Sequence, residues 1–290
     1  MKIFPLALGV FLASICSSIA QVTVEVVLDQ EQFLINESLP VKVRVTNRSG
    51  QTLQLGQEKD WLTFTIESRD GYLISPLGEV PVVGNQAVES SMVASRLVDL
   101  MPYYDLNKAG RYTVVATVKL KQWNEELASK PKNFEIARGN KIWEQEFGVP
   151  SAQGAAPEGR KYALQQANYA KRMMLYVRVT DLNENKVFKV FPAGQLVSFS
   201  KPEARIDRAS DLQLLFQTGA RSFLYLIVSP EGEILLRQNY DYTATRPVLR
   251  SDEDGKTFVA GGVRRLAAND VPVPAAIAST NDVKIPLPKP

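Results

Sequence analysis

Apolar residues recur at every second position through one segment of this chain after another, and that spacing commits it to sheets. Val22, Val24 and Val26 alternate with Thr23 and Glu25; Val41, Val43 and Val45 alternate with Lys42, Arg44 and Thr46. Leu62, Phe64 and Ile66 alternate with Thr63, Thr65 and Glu67. A strand turns successive side chains to opposite faces, so each run has one buried face and one wet face, as in an antiparallel sheet. Asn47-Arg48-Ser49-Gly50 and Arg69-Asp70-Gly71 supply turn chemistry between them. Short strands at this spacing predict a sandwich or barrel rather than a parallel sheet.

The second half repeats the pattern. Leu175, Val177 and Val179 lead to the turn at 181–185, followed by strands expected at 187–191, 196–199 and 212–217. Residues 223–228 are apolar on both faces, as an inner strand should be. Ser229-Pro230-Glu231-Gly232 turns the chain into 234–242, and Ser251-Asp252-Glu253-Asp254-Gly255 turns it into a last strand at 257–263. Between the halves, 147–159 has the Gly, Pro, Ala and Ser content of a linker. One helix is expected at 157–172: Pro157 and Glu158 open it, Tyr162, Ala163, Ala167 and Ala170 recur at helical spacing, and Lys171 and Arg172 close it. Pro272, Pro274, Pro286, Pro288 and Pro290 mark an extended tail.

Residues 1–20 have the parts of a secretory signal. Lys2 precedes an apolar run from Leu6 to Ile15, and Ser18-Ile19-Ala20 is an A-x-A-like cleavage site. Ile15 before Cys16 disfavours lipidation of that cysteine, so cleavage after Ala20 is the reading. Cys16 is the sole cysteine and histidine is absent, so the mature chain lacks the residues most used for metal ligation, thiol chemistry and proton transfer at neutral pH. Disulfide scaffolds are excluded, and stability must come from packing, which 45% hydrophobic residues permit. A net charge of +3 with both signs interspersed gives no electrostatic case for nucleic acid. No later apolar run is long enough to span a membrane once the signal is cleaved.

The segment Asp105-Leu106-Asn107-Lys108-Ala109-Gly110-Arg111-Tyr112-Thr113-Val114 resembles the entry to strand F of immunoglobulin-like sandwiches. The resemblance implies that the Tyr112 hydroxyl folds back onto the preceding loop, that Val114 stands at the disulfide position of antibody domains, and that Trp61 is a core tryptophan. Residues 33–71, with V-x-V-x-N-x-S-G at 43–50, resemble the immunoglobulin-type domain of bacterial intracellular proteinase inhibitors. The expected organisation is therefore all-β: a signal peptide at 1–20, an immunoglobulin-like β-sandwich at 21–139, a linker with one short helix at 140–172, a second, immunoglobulin-like or related, antiparallel sandwich at 173–268, and a proline-rich tail at 269–290.

Several chemistries fail on spacing. Gly154 to Lys161 has the glycines of a phosphate loop without its Lys-Ser/Thr end. Asp181, Asn183 and Asn185 start a calcium-loop pattern, but Lys186 and Pro192 break it, and Asp252 with Asp254 matches less. Ser129/Lys132 and Ser198/Lys201 have acyl-transferase spacing without the helix that would align them. Glu144 and Glu146 would share a strand face as a glycosidase pair does, with nothing nearby to desolvate them. The best binding candidates are Arg237, Tyr240, Tyr242 and Arg246, where aromatic and cationic groups suit protein or sugar contacts; alternatively the tyrosines cover a core. The expected function is a non-catalytic periplasmic or secreted module, without cofactor or metal, that binds a protein or envelope polymer. An inhibitor of extracytoplasmic proteases and a carboxylate-dependent glycan hydrolase are the alternatives. The two-sandwich plan is also that of pilus-type chaperones, whose motifs do not appear.

Overall fold

The computed structural model describes residues 22–149 and 158–272, and within them the protein is built almost entirely from antiparallel sheets. The expected signal segment, the centre of the expected linker and most of the proline-rich tail lie outside the described residues. Among the described residues the only helical turn is a 3-10 turn at Met101–Tyr103.

In the N-terminal half, β1 (Val22–Leu28), β3 (Pro40–Asn47) and β8 (Val93–Asp99) form one sheet. A second sheet runs in the order β2 (Gln32–Leu34), β11 (Lys132–Ala137), β9 (Gly110–Leu120), β5 (Leu62–Ser68), β6 (Leu73–Ile74), with β10 (Glu125–Ala128) also pairing β9. The alternation read from sequence is the burial pattern. Val41, Val43 and Val45 of β3 meet Leu62, Phe64 and Ile66 of β5 and Tyr112, Val114, Ala116 and Val118 of β9 in one apolar cluster. Removing each such side chain from water contributes roughly 1.5–3 kcal/mol. The two turns are as their residues dictate: Asn47 Oδ1 accepts from Ser49 N at 2.9 Å, and Gly71 takes φ +80°. A small pair, β4 (Leu53–Leu55) with β7 (Gln86–Val88), lies beside these sheets.

The helix expected at 157–172 is absent over its described residues, 158–172. Those residues form β13 (Glu158–Tyr169) and the start of β14 (Arg172–Asp181), paired from Tyr169↔Arg172 to Arg160↔Asp181. Ala170 and Lys171 make the two-residue turn with φ of +47° and +66°, a conformation their side chains do not advertise. Tyr162 and Leu164 join the core beneath, while Ala163 and Ala167 face the other side; the alanines fall at helical spacing by coincidence. The expected linker is also strand at both described ends, because β12 (Asn140–Val149) pairs with β13 through Val149↔Glu158. Residues 196–199, expected as a strand, are instead a loop after β15 (Val187–Gln195).

The sheet β12-β13-β14-β15 faces a second sheet of β16 (Glu203–Ile206), β17 (Leu212–Gln217), β18 (Ser222–Val228), β19 (Ile234–Asp241) and β22 (Val263–Arg265). Tyr162, Leu164, Val177 and Val179 pack there against Leu214, Phe216, Leu224 and Leu226. On the outer face, Leu215, Phe223 and Tyr225 are covered by the pair β20 (Val248–Ser251) and β21 (Thr257–Ala260) through Leu249 and Val259. Residues 223–228 are thus apolar on both sides because both sides are covered.

The halves touch through Leu34 and Ala137 against Ala167, Tyr176 and Val190. Gln32 Nε2 donates to Asn168 O at 2.7 Å, and Arg178 donates to Asn36 Oδ1 at 3.1 Å. Glu37 is buried near this contact, its oxygens accepting from Leu34 N at 2.6 Å and Gln30 Nε2 at 2.9 Å. Burial outweighs those bonds and raises its carboxyl above the ordinary 4.5. The folded state then holds the proton more tightly than the unfolded chain. Glu37 therefore favours folding most below pH 4.5, and that contribution is lost as pH rises through the raised value. Glu37→Gln, which keeps an oxygen for Leu34 N, is expected to raise the urea midpoint at pH 7 and to lose its advantage at pH 4. Equal differences at both pH values would contradict this.

Candidate binding cleft

An open cleft of about 1030 Å³ lies in the N-terminal half. One wall is the turn between β4 and β5, Gly56 to Asp60; the floor is Leu62 and Phe64 of β5 with Tyr104; the other wall is the segment 76–85. Pro76 and Pro81 lack the N–H a ladder needs, so this apolar, Gly- and Pro-punctuated stretch runs alongside the sheets without joining one as a strand. Three tethers hold the walls. Trp61, almost fully buried, donates its Nε1–H to Val82 O at 3.1 Å, Leu77 N donates to Tyr103 O at 2.8 Å, and the Tyr104 hydroxyl donates to Phe64 O at 2.7 Å. Gly56, at φ +84°, lies so close to Gly84 that a Cβ would fall inside the Gly84 carbonyl oxygen.

Leu77 and Val83 are 68% and 81% exposed on the outer wall. Among the described residues, the N–H groups of Gly78, Glu79, Val80, Val83 and Gly84 donate to no protein acceptor. The cleft thus pairs an apolar floor with a row of backbone donors. Two of the acids that line it are met on the protein: Asp60 pairs with Lys119 at 2.5 Å and Glu58 with Lys121 at 2.8 Å, while Lys59 and Glu79 form no ion pair among the described residues. Hydrogen bonding to Lys119 holds the Asp60 carboxyl below its usual range.

The candidates read from sequence do not form one site. Tyr240 is half-buried against Tyr225, with ring centroids 6.5 Å apart, and donates to Gln238 Oε1; it covers the outer core face. Arg237 lies on the opposite face of β19, where burial lowers its pKa and its Nε has no acceptor among the described residues. Tyr242 and Arg246 are exposed beyond the end of β19. Trp61 sits in the N-terminal core and bears on the cleft only through its bond to Val82 O. The Tyr112 hydroxyl donates to Lys108 O at 2.7 Å and its ring stacks on Phe134 at 5.6 Å. The signal for the cleft was present in Pro76-Leu77-Gly78-Glu79-Val80-Pro81-Val82-Val83-Gly84, an apolar run that proline bars from a ladder.

Other polar motifs are committed to structure. Asp181 Oδ1 accepts from Lys186 N at 2.9 Å and Asp252 Oδ1 from Lys256 N at 2.7 Å, so each braces its own turn. Glu144 pairs with Lys141 at 2.6 Å on the surface. Ser129 Oγ accepts from Ala116 N at 3.0 Å, and Lys132 pairs with Glu31. Arg160 is tied to Glu158 and Glu231 and lies 4.1 Å from the Phe188 ring centroid.

No protein-family model matches this sequence, and no curated protein matches it. Among solved structures, Spo0M, a sporulation control protein from Bacillus subtilis, is similar at a TM-score of 0.30 and 8% identity, over 56% of this chain and 80% of that one. A likeness that weak carries no argument about fold or function. The cleft has to speak through its own chemistry.

Proposed function

We propose that this chain is an exported, non-catalytic binding module of two immunoglobulin-like sandwiches that takes an extended apolar peptide segment of a partner protein into the N-terminal cleft. The observation that carries the reading is the coincidence of an apolar floor with unpaired backbone donors along 78–84. An extended peptide offers carbonyls to such donors and alternate side chains to such a floor. The immunoglobulin-like reading draws support from the parallel pairing of β2 with β11, the sheet order β11-β9-β5, and the Tyr112 bond to Lys108.

Fluorescence titration of the mature protein with an array of labelled apolar eight-residue peptides tests this, with the anisotropy of the label as the readout. Saturable binding is expected for a subset, and Val83→Asp should weaken it by about tenfold while shifting stability by no more than roughly 0.5 kcal/mol. Absence of binding across the array, or unchanged binding by Val83→Asp, would defeat the proposal. A second reading, inhibition of extracytoplasmic proteases, is favoured by the exposure of Leu77 and Val83 on one proline-flanked wall. A protease panel separates the two, since a peptide-binding module leaves every protease active.

A further inference from the structure

The C-terminal sheets are electrically polarised along their strands. Their antiparallel register puts the connections 169–172, 196–202, 218–221 and 242–246 at one end. Leu196 N bonds Met173 O, Val197 N bonds Gln217 O, and Tyr242 N bonds Arg221 O, which ties these connections into one surface. They carry Lys171, Arg172, Lys201, Arg221 and Arg246 and no carboxylate. None of these five cations forms an ion pair among the described residues. The acids at the adjoining strand ends are engaged elsewhere: Asp241 pairs with Arg265 at 3.3 Å, and Glu203 accepts from Leu249 N at 2.9 Å. The opposite end is acidic on balance, with Glu184, Asp207, Asp211, Glu231, Glu233 and the run Asp252 to Asp254 in its connections against Lys186, Arg208 and Lys256.

A phenyl ring stands on the basic end. Phe199 is 98% exposed at the centre of a turn closed by Ser200 N to Val197 O at 2.9 Å. The turn is anchored at Leu196 and Val197, so the ring is presented rather than folded back. Tyr242, also exposed, lies near Arg221 on the same surface. An anionic polymer in water would satisfy the cations but leave the phenyl wet. A bilayer with anionic headgroups satisfies both, because cations settle at the headgroups while an aromatic enters the acyl boundary.

We infer that this basic end seats the protein on an anionic lipid bilayer, with Phe199 inserted and Lys171, Arg172 and Lys201 at the headgroups. The surface is separate from the N-terminal cleft and does not depend on the peptide reading. Co-sedimentation of the mature protein with vesicles of equal phosphatidylglycerol and phosphatidylcholine tests it, with pure phosphatidylcholine vesicles and heparin alongside.

Binding to the anionic vesicles and far weaker binding to the neutral ones is expected. Phe199→Ala should lower the partition coefficient about tenfold, and Lys171→Gln/Arg172→Gln/Lys201→Gln by at least about tenfold with a weaker salt dependence. All four side chains are exposed, so circular dichroism melts should match wild type. Val83→Asp should bind vesicles as wild type does. No vesicle binding, equal binding to neutral vesicles, or unchanged binding by Phe199→Ala each overturns the inference. Heparin binding insensitive to Phe199→Ala, without vesicle binding, would assign the surface to a soluble polyanion instead.

Discussion

Tyr162→Ala should destabilise the protein by about 3–5 kcal/mol, the range for emptying a large aromatic site. The side chain is fully buried, its ring stacks on Phe147 at 4.3 Å, and its hydroxyl shares its one proton between Ser210 O at 3.1 Å and Val228 O at 3.0 Å. Truncation opens a cavity between the two C-terminal sheets and strips both carbonyls of their donor. Tyr162→Phe separates the parts: it keeps the ring and should cost roughly 1–3 kcal/mol, the penalty for unsatisfied buried acceptors. Denaturant unfolding measures both. If alanine at 162 cost under 1 kcal/mol, the side chain would not be buried between the sheets and the strand placement would be wrong.

Gly56→Val should both destabilise the fold by about 3 kcal/mol and abolish peptide capture by the cleft. The position takes φ +84°, which a β-branched residue adopts only under strain, and its Cβ would overlap backbone rather than a pliable side chain. Relief requires moving Gly84 and with it the wall that carries Val83. Gly50→Ala is the matched control: φ is +78° but nothing lies within 4 Å of its Cβ, so only the backbone cost of about 1 kcal/mol should appear. Peptide titration at a temperature where both variants are folded reads the difference. Wild-type affinity in Gly56→Val would show that the contact between Gly56 and Gly84 does not shape the cleft.

The N-terminal strands were legible because their faces differ. Val41, Val43 and Val45 are buried while Lys42, Arg44 and Thr46 face outward, so period two survives in the sequence. β13 was misread because Arg160, on its inward face, satisfies its charge with Glu158 and Glu231, and because small alanines on its outer face are covered by the other half. Alternation of apolar and polar types was thereby lost, and alanine spacing filled the gap with a helix. The turn Ala170-Lys171 gave no warning, since glycine or asparagine is the usual sign of positive φ.

The candidate surfaces divide in the same way. The four residues singled out on and after β19 were grouped by nearness in sequence, yet a strand sends Arg237 and Tyr240 to opposite faces, where each is half-buried. The cleft and the basic end each gather residues from connections far apart in the chain. Periodicity, turn chemistry and the scarcity of Cys and His determined that this protein is built of sheets without disulfides. Which faces are covered, where two backbones meet at Gly56 and Gly84, and which loops share one end were decided by tertiary packing, because those depend on contacts between residues that no local pattern relates.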